Sequence, residues 1–245
     1  MPWHVAYGEI EQYVVKIITP QGSGTGFLVA STADANFVGI ATAAHVIDYA
    51  HYWAQPIRIQ HFKSGKTVYL NVGDRFIETW PNRDLASIIL QRGELPFPAS
   101  VLPLIAEDKC MKVGTQLGWV GFPAIASDNL CFFSSDISCW VPGEEFYFVD
   151  GVAINGVSGG PAFCTREDHV ELIGVVSAYV PNRATGASLP GLCVVRDVAP
   201  LSATIKGLRN LEEAKAQEVP PSGPPPAALQ DQSQQPPLGS EQTRN

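Results

Sequence analysis

Ten short apolar runs recur between Tyr13 and Val195, each four to nine residues long: Tyr13 to Ile18, Gly26 to Ala30, Phe37 to Thr42, Ile57 to Phe62, Lys66 to Val72, Leu85 to Leu90, Thr115 to Val120, Phe146 to Val149, Leu172 to Val180 and Leu192 to Val195. Many are rich in Val, Ile, Phe or Tyr and are bounded by turn residues, which suits strands better than helices. Short strands met this often bury their apolar faces by meandering into a sandwich or barrels. Composition points the same way, because 22 Gly, 20 Pro, 2 Met and 16% charged residues exclude a coiled coil or a charged helical array. The expected class is all-β, and 245 residues bury a sizeable core as one domain or two small lobes. The clearest helical segment lies late, from about Leu201 to Glu218, where Ile205, Leu208 and Leu211 recur at steps of three on an otherwise polar face.

From Pro220 onward Pro, Gln, Ser and Gly dominate, with little apolar material to repay ordering entropy, so residues 220–245 are expected to be a disordered tail. The formal charge of −8 carries only 16 Lys and Arg, spread along the chain. That disfavours nucleic acid, whose phosphates need clustered cations. No apolar stretch reaches the roughly 18 residues of a membrane span. Met1 to Glu11 has no basic start, and Glu9 and Glu11 break any apolar stretch, so no export signal is visible and a cytoplasmic protein is expected. Five cysteines at no metal-like spacing imply neither a metal site nor a disulfide framework.

Three segments could carry chemistry. Asn155-Gly156-Val157-Ser158-Gly159-Gly160-Pro161 sets a serine in a glycine-dense turn, where small neighbours let backbone N–H groups converge on an approaching carbonyl. Taken alone, an ordinary loop has the same character. A hydroxyl is a poor nucleophile at neutral pH and needs a base oriented by an acid. Of five histidines, His45 closes the small-residue run Gly39 to Ala44 and is expected to emerge directly from an apolar strand, whereas His4, His51, His61 and His169 sit in polar or terminal surroundings. Asp84 stands at the mouth of the apolar run Leu85 to Leu90, although a strand-capping aspartate would look the same. The spacing of Gly22, Gly24 and Gly26 suggests a dinucleotide loop, but a short β-like run ending in Ser31 to Asn36 follows it rather than the helix such a loop requires.

Taken together, the order His45, Asp84, Ser158 with Gly22-Ser23-Gly24-Thr25-Gly26-Phe27, Thr42-Ala43-Ala44-His45, Asp84-Leu85-Ala86, Gly118 to Pro123 and Ser158-Gly159-Gly160-Pro161 resembles the trypsin-like serine peptidases of the chymotrypsin fold, closest to their HtrA-type branch. The resemblance runs from about Gly22 to Val195. It implies two six-stranded antiparallel β-barrels within a peptidase domain of residues 1–219: barrel one at about 8–100, barrel two at about 101–200, then the helix at about 201–218. It implies a serine endopeptidase with Ser158 as nucleophile, His45 as base, Asp84 as orienting acid, and the N–H groups of Gly156 and Ser158 as the oxyanion hole. Ser177 matches the family's serine that hydrogen-bonds the acid, and Ser177, Ala178 and Tyr179 would pair with the substrate as an added strand. Val152 matches the floor of the first specificity pocket, flanked by Ala153, with Gly191 and Tyr179 on its walls. An apolar floor cannot pair a buried cation, so cleavage after small or medium apolar residues is expected. Cys164 matches a family disulfide position with Cys110 as its only plausible partner, although a buried free thiol is the favoured state.

Two departures stand out. Val157 occupies the place of an aspartate in zymogen-activated members and of an asparagine in HtrA-type ones, so nothing in the sequence says how the oxyanion turn is held. After Pro200 there is room for a helix and tail rather than the PDZ domain usual in the HtrA branch. The expected partner is a polypeptide substrate, with no cofactor, no metal, no nucleic acid and no membrane, and with a homo-oligomer left open. The alternative is a catalytically idle, peptide-binding or regulatory module on the same fold.

Overall fold

A computed structural model of the chain describes residues 1–34, 36–151, 154–181 and 188–218. The proposed tail therefore lies outside the described residues, as do Val152 and Ala153. Seven strands form an antiparallel sheet: β1 (Val14–Thr19), β2 (Gly22–Ser31), β3 (Phe37–Thr42), β4 (Ile57–His61), β5 (Thr67–Leu70), β6 (Arg75–Trp80) and β7 (Leu85–Gln91), in the order β5-β4-β1-β2-β3-β7-β6. Six more, β8 (Gln116–Gly121), β9 (Cys131–Val141), β10 (Phe146–Asp150), β11 (Pro161–Thr165), β12 (Val170–Pro181) and β13 (Ser188–Asp197), close into a barrel in the order β10-β13-β12-β11-β8-β9. This is the all-β, two-lobed, chymotrypsin-like architecture.

The first lobe differs in detail from a closed six-stranded barrel, since its seven strands leave β5 and β6 as unjoined edges. At that seam the Arg75 guanidinium donates to the carbonyls of Leu70 (3.0 Å), Ala50 (3.3 Å) and Gln55 (2.7 Å). A side chain thus takes the acceptor at the end of β5 that a neighbouring strand would otherwise use.

Every apolar run found in the sequence lies on a strand, and three strands were not visible there. β6 mixes Arg75, Glu78 and Thr79 with its apolar residues, the middle of β9 is polar and wet, and β11 opens with a proline. Two helices also lacked a clear signal: α1 (Trp3–Ile10) and α2 (Ala44–Tyr52). The expected late helix is α3 (Leu201–Glu218). It packs against β2 and β3, burying Leu201, Thr204 and Leu208, and Thr204 Oγ1 is 2.9 Å from the buried Ser87 Oγ, so both hydroxyls have a partner.

The core of the closed barrel centres on Trp119, Tyr147 and Phe163, and that of the sheet on Ile17, Phe27 and Ile40, all essentially excluded from solvent. Each such side chain contributes about 1.5–3 kcal/mol of burial. The amino-terminal helix ties the lobes together: Trp3 meets Phe132 at a tilt and Phe163 edge-on in the barrel, while Ala6 and Ile10 are buried and the chain runs on into β1. Among the described residues no helix is long and apolar enough to cross a membrane.

Candidate active site

His45 does not leave directly from a strand, as its sequence suggested. β3 ends at Thr42, and His45 lies in the first turn of α2, whose own cap residue, Ala43, has no side chain to offer the helix's free N–H groups. The cap comes from across the lobe. The Asp84 carboxylate accepts from the backbone N–H of His45 at 2.9 Å, and the Asp84 carbonyl accepts from that of Ala44 at 3.2 Å. A carboxylate at this end also suits the helix dipole. The same carboxylate faces His45 Nδ1 at 2.8 and 3.0 Å, so backbone and ring of His45 are oriented by one acid.

Asp84 reaches this position because a short 3₁₀ turn, Pro81–Arg83, ends on it in the left-handed region at φ 45°. Aspartate tolerates that region better than most residues. Its second oxygen also accepts a hydrogen bond from Ser177 Oγ. Burial pushes the Asp84 carboxyl up, but the bonds from His45 and Ser177 and the nearby imidazole outweigh it and hold the group below the usual carboxylate range. The bond to Asp84 raises the His45 pKa above its ordinary value, against the opposing effect of burial.

Ser158 follows a tight turn in which Gly156 and Gly159 adopt φ of 92° and 86°. A Cβ on Gly156 would sit 2.2 Å from the Phe122 carbonyl oxygen, and one on Gly159 would sit 2.0 Å from that of Thr25, so both conformation and space demand glycine. Among the described residues the N–H groups of Gly156 and Ser158 have no acceptor. The Ser158 hydroxyl donates to the Ser177 carbonyl at 3.0 Å and makes no hydrogen bond to His45. The contacts therefore run from Ser158 to Ser177, from Ser177 to Asp84, and from Asp84 to His45.

The turn is held without an acid or amide at position 157 by Thr25, which stands in the glycine-rich run Gly22 to Phe27. Val157 is fully buried, and its N–H donates to the Ile154 carbonyl at 3.0 Å. Thr25 Oγ1 donates to the Gly156 carbonyl at 2.8 Å and accepts from the Phe122 N–H at 3.1 Å, while the Thr25 N–H donates to the Ser158 carbonyl at 2.9 Å. Thr42 Oγ1 fixes Thr25 in turn by donating to its carbonyl at 2.7 Å. Neither Thr25 in its glycine-rich run nor Thr42 among apolar residues carries a sequence signal that marks this latch.

Ser177, Ala178 and Tyr179 lie on β12, and Gly191 lies on β13. The pairing of β11 with β12 stops at Pro161 and Val175, whereas β12 continues along β13 as far as Pro181. Residues 177–179 thus have an edge with no strand partner among the described residues. All five thiols are free; Cys164 is buried, and burial pushes its thiol up to about 11, while Cys110 is exposed. Among the described residues no cluster of three or more His, Cys, Asp or Glu side chains is placed to hold a metal ion.

Two β lobes with this order and this junction define the chymotrypsin-like class. Residues 24–175 match the sequence model of the trypsin-like peptidase domain, and the chain belongs to that family; it is a serine-type endopeptidase. No curated protein sequence matches it. Among solved structures it is similar to the Rv3671c protease in an inactive form, with TM-score 0.59, 18% identity and coverage of 83% of this chain and 92% of that one. It is also similar to a serine endoprotease from Yersinia pestis, with TM-score 0.62, 18% identity and coverage of 86% of this chain and 67% of that one. At such identity the likeness is one of fold.

Proposed function

We propose that the chain hydrolyses peptide bonds with Ser158 as nucleophile, His45 as general base and acid, and Asp84 as the group that orients the imidazole. The observation that carries this reading is the run of hydrogen bonds through Ser158, Ser177, Asp84 and His45, beside the N–H groups of Gly156 and Ser158, which have no acceptor among the described residues. Rotation of the Ser158 side chain exchanges the Ser177 carbonyl for the imidazole Nε2. Ser158 Oγ then attacks the peptide carbonyl as His45 takes its proton, and the imidazolium gives that proton to the leaving amine. Water hydrolyses the acyl-enzyme by the same steps. The N–H groups of Gly156 and Ser158 receive the oxyanion, where each preorganised donor acts on charge that develops only in the transition state.

The open edge at Ser177, Ala178 and Tyr179 supports binding of the acyl side of the substrate as an added strand. The resemblance assigns Val152, Ala153, Gly191 and Tyr179 to the first pocket and none of them is charged, so we assign cleavage after small or medium apolar residues. The alternative of an idle peptide-binding module draws on the Ser158 hydroxyl, which faces Ser177 rather than His45. Turnover of an internally quenched peptide library decides between them. Cleavage that disappears in both Ser158→Ala and His45→Ala supports the peptidase. A well-folded wild type that binds the peptides without cleaving them supports the idle module.

A further inference from the structure

Where the first lobe fails to close, residues of its two unjoined edge strands, β5 and β6, line a groove of about 860 Å³ together with residues of β3, β7 and α3. Val68, Tyr69, Phe76, Ile89, Leu208 and Leu211 give it an apolar wall. Of these, Tyr69, Phe76 and Leu211 are 69%, 64% and 38% exposed. The two charged side chains that line it are already engaged, Asp74 by the backbone N–H and side-chain amide of Asn71, and Arg75 by three carbonyls. Among the described residues, none of the candidate active site lines this groove. Large rings left wet beside open sheet edges call for a cover.

The chain itself supplies one. Helix α3 contributes Leu208 and Leu211 to the wall and runs on to Glu218, about 10 Å beyond Leu211 at 1.5 Å per residue. Residues 219–223 can span up to about 17 Å, enough to lead back over that distance, and Gly223 accepts the turn conformations the return needs. Next comes the apolar run Pro224-Pro225-Pro226-Ala227-Ala228-Leu229, and no charge occurs from Val219 to Gln230. Proline arrives with φ already set, so a segment of this kind loses little entropy on entering a groove lined by aromatic rings. Its lack of charge suits a wall whose own charges are engaged.

We infer that Pro224 to Leu229 dock into this groove of their own chain, with proline rings against Tyr69 and Phe76. Docking covers the seam between β5 and β6 and holds α3, whose Thr204 and Leu208 are buried, onto the first lobe. A second copy of the chain is the competing occupant. The tethered segment has the advantage, because a short linker keeps it at a local concentration of about 1 mM at any dilution.

Hydroxyl-radical footprinting of the full chain, read residue by residue by mass spectrometry, tests the inference. Tyr52, exposed and outside the groove, is the internal reference, and its unchanged rate checks that the fold is intact. In the chain carrying Pro225→Asp and Leu229→Asp, oxidation of Tyr69 and Phe76 relative to Tyr52 is expected to rise about six-fold, the release of a segment of about 0.2 mM affinity held at about 1 mM. Leu238→Asp should leave both rates as they are, and so should dilution of the wild type. Equal rates in the wild type and the doubly substituted chain overturn the inference. So does oxidation that rises on dilution, which gives the groove to a second copy, or a rise with Leu238→Asp as large as that with the double substitution, which gives it to a later segment. Neither protection nor its loss involves chemistry at Ser158, so this result and the peptidase reading stand or fall separately.

Discussion

Thr25 and Gly156 belong to different lobes, and the hydroxyl of the first donates to the carbonyl of the second at 2.8 Å. The same hydroxyl accepts from Phe122, so one buried side chain fixes the turn that carries Ser158 and the loop behind it. With Val157 buried and contributing no polar side chain, Thr25 is the positioning residue of this turn. Thr25→Val keeps the shape and removes the hydroxyl. We expect kcat to fall about 10-fold with little change in KM, less than the 10²–10³ lost with a direct oxyanion donor because Thr25 acts one step removed. Thr25→Ser should restore most of the loss, and steady-state kinetics on one peptide reads all three chains.

The pH profile follows from the shifts at His45 and Asp84. Because its pKa is raised above 6.5, the imidazolium of His45 adds stability that is fully present below 6.5 and is lost as pH rises through the raised value. In the mechanism proposed above the base acts in its neutral form, so activity should rise over that same interval and the midpoint of kcat/KM should lie above 6.5. Asp84, lowered from 3.8, adds stability that is present above 3.8 and is lost as pH falls through the lowered value. In Asp84→Asn the midpoint should move down, and kcat should fall by about 10⁴, the cost seen when a triad aspartate is replaced.

The placement of His45 depends on the packing of its helix. Ile47 is fully buried two residues further along α2. Ile47→Ala should cost about 2–5 kcal/mol in urea unfolding, as for other large-to-small core changes. It should also lower kcat, since the turn carrying the imidazole loses its anchor.

Specificity at the cleaved residue gives a fourth expectation. Peptides with Ala, Val or Leu there should be turned over with kcat/KM at least about 10-fold above their Arg counterparts, because the uncharged pocket proposed above would leave a buried guanidinium unpaired. Equal rates contradict the pocket assignment.

The strands were legible wherever apolar residues ran together, as from Phe37 to Thr42 or from Leu85 to Leu90, because burial on both sides leaves an unbroken apolar signal. Those with a wet face, β6 and β9, carried too many polar residues to stand out. Helix α2 was hidden for a different reason: its helical start depends on Asp84, thirty-nine residues further on, which supplies the cap that Ala43 lacks. The residues of the candidate site were legible through the order of short motifs. The Thr25 latch was not, since a threonine in a glycine-rich hairpin gains its meaning only when the second lobe brings Gly156 against it.

The proposed mechanism stands or falls on Ser158 as nucleophile. Incubating the full chain with a fluorophosphonate and locating the adduct by mass spectrometry of its peptides tests this directly. One adduct is expected, on Ser158, absent from Ser158→Ala and strongly slowed in His45→Ala. Labelling that persists in Ser158→Ala, or a folded wild type that takes up no label across the pH range where His45 is neutral, would contradict it.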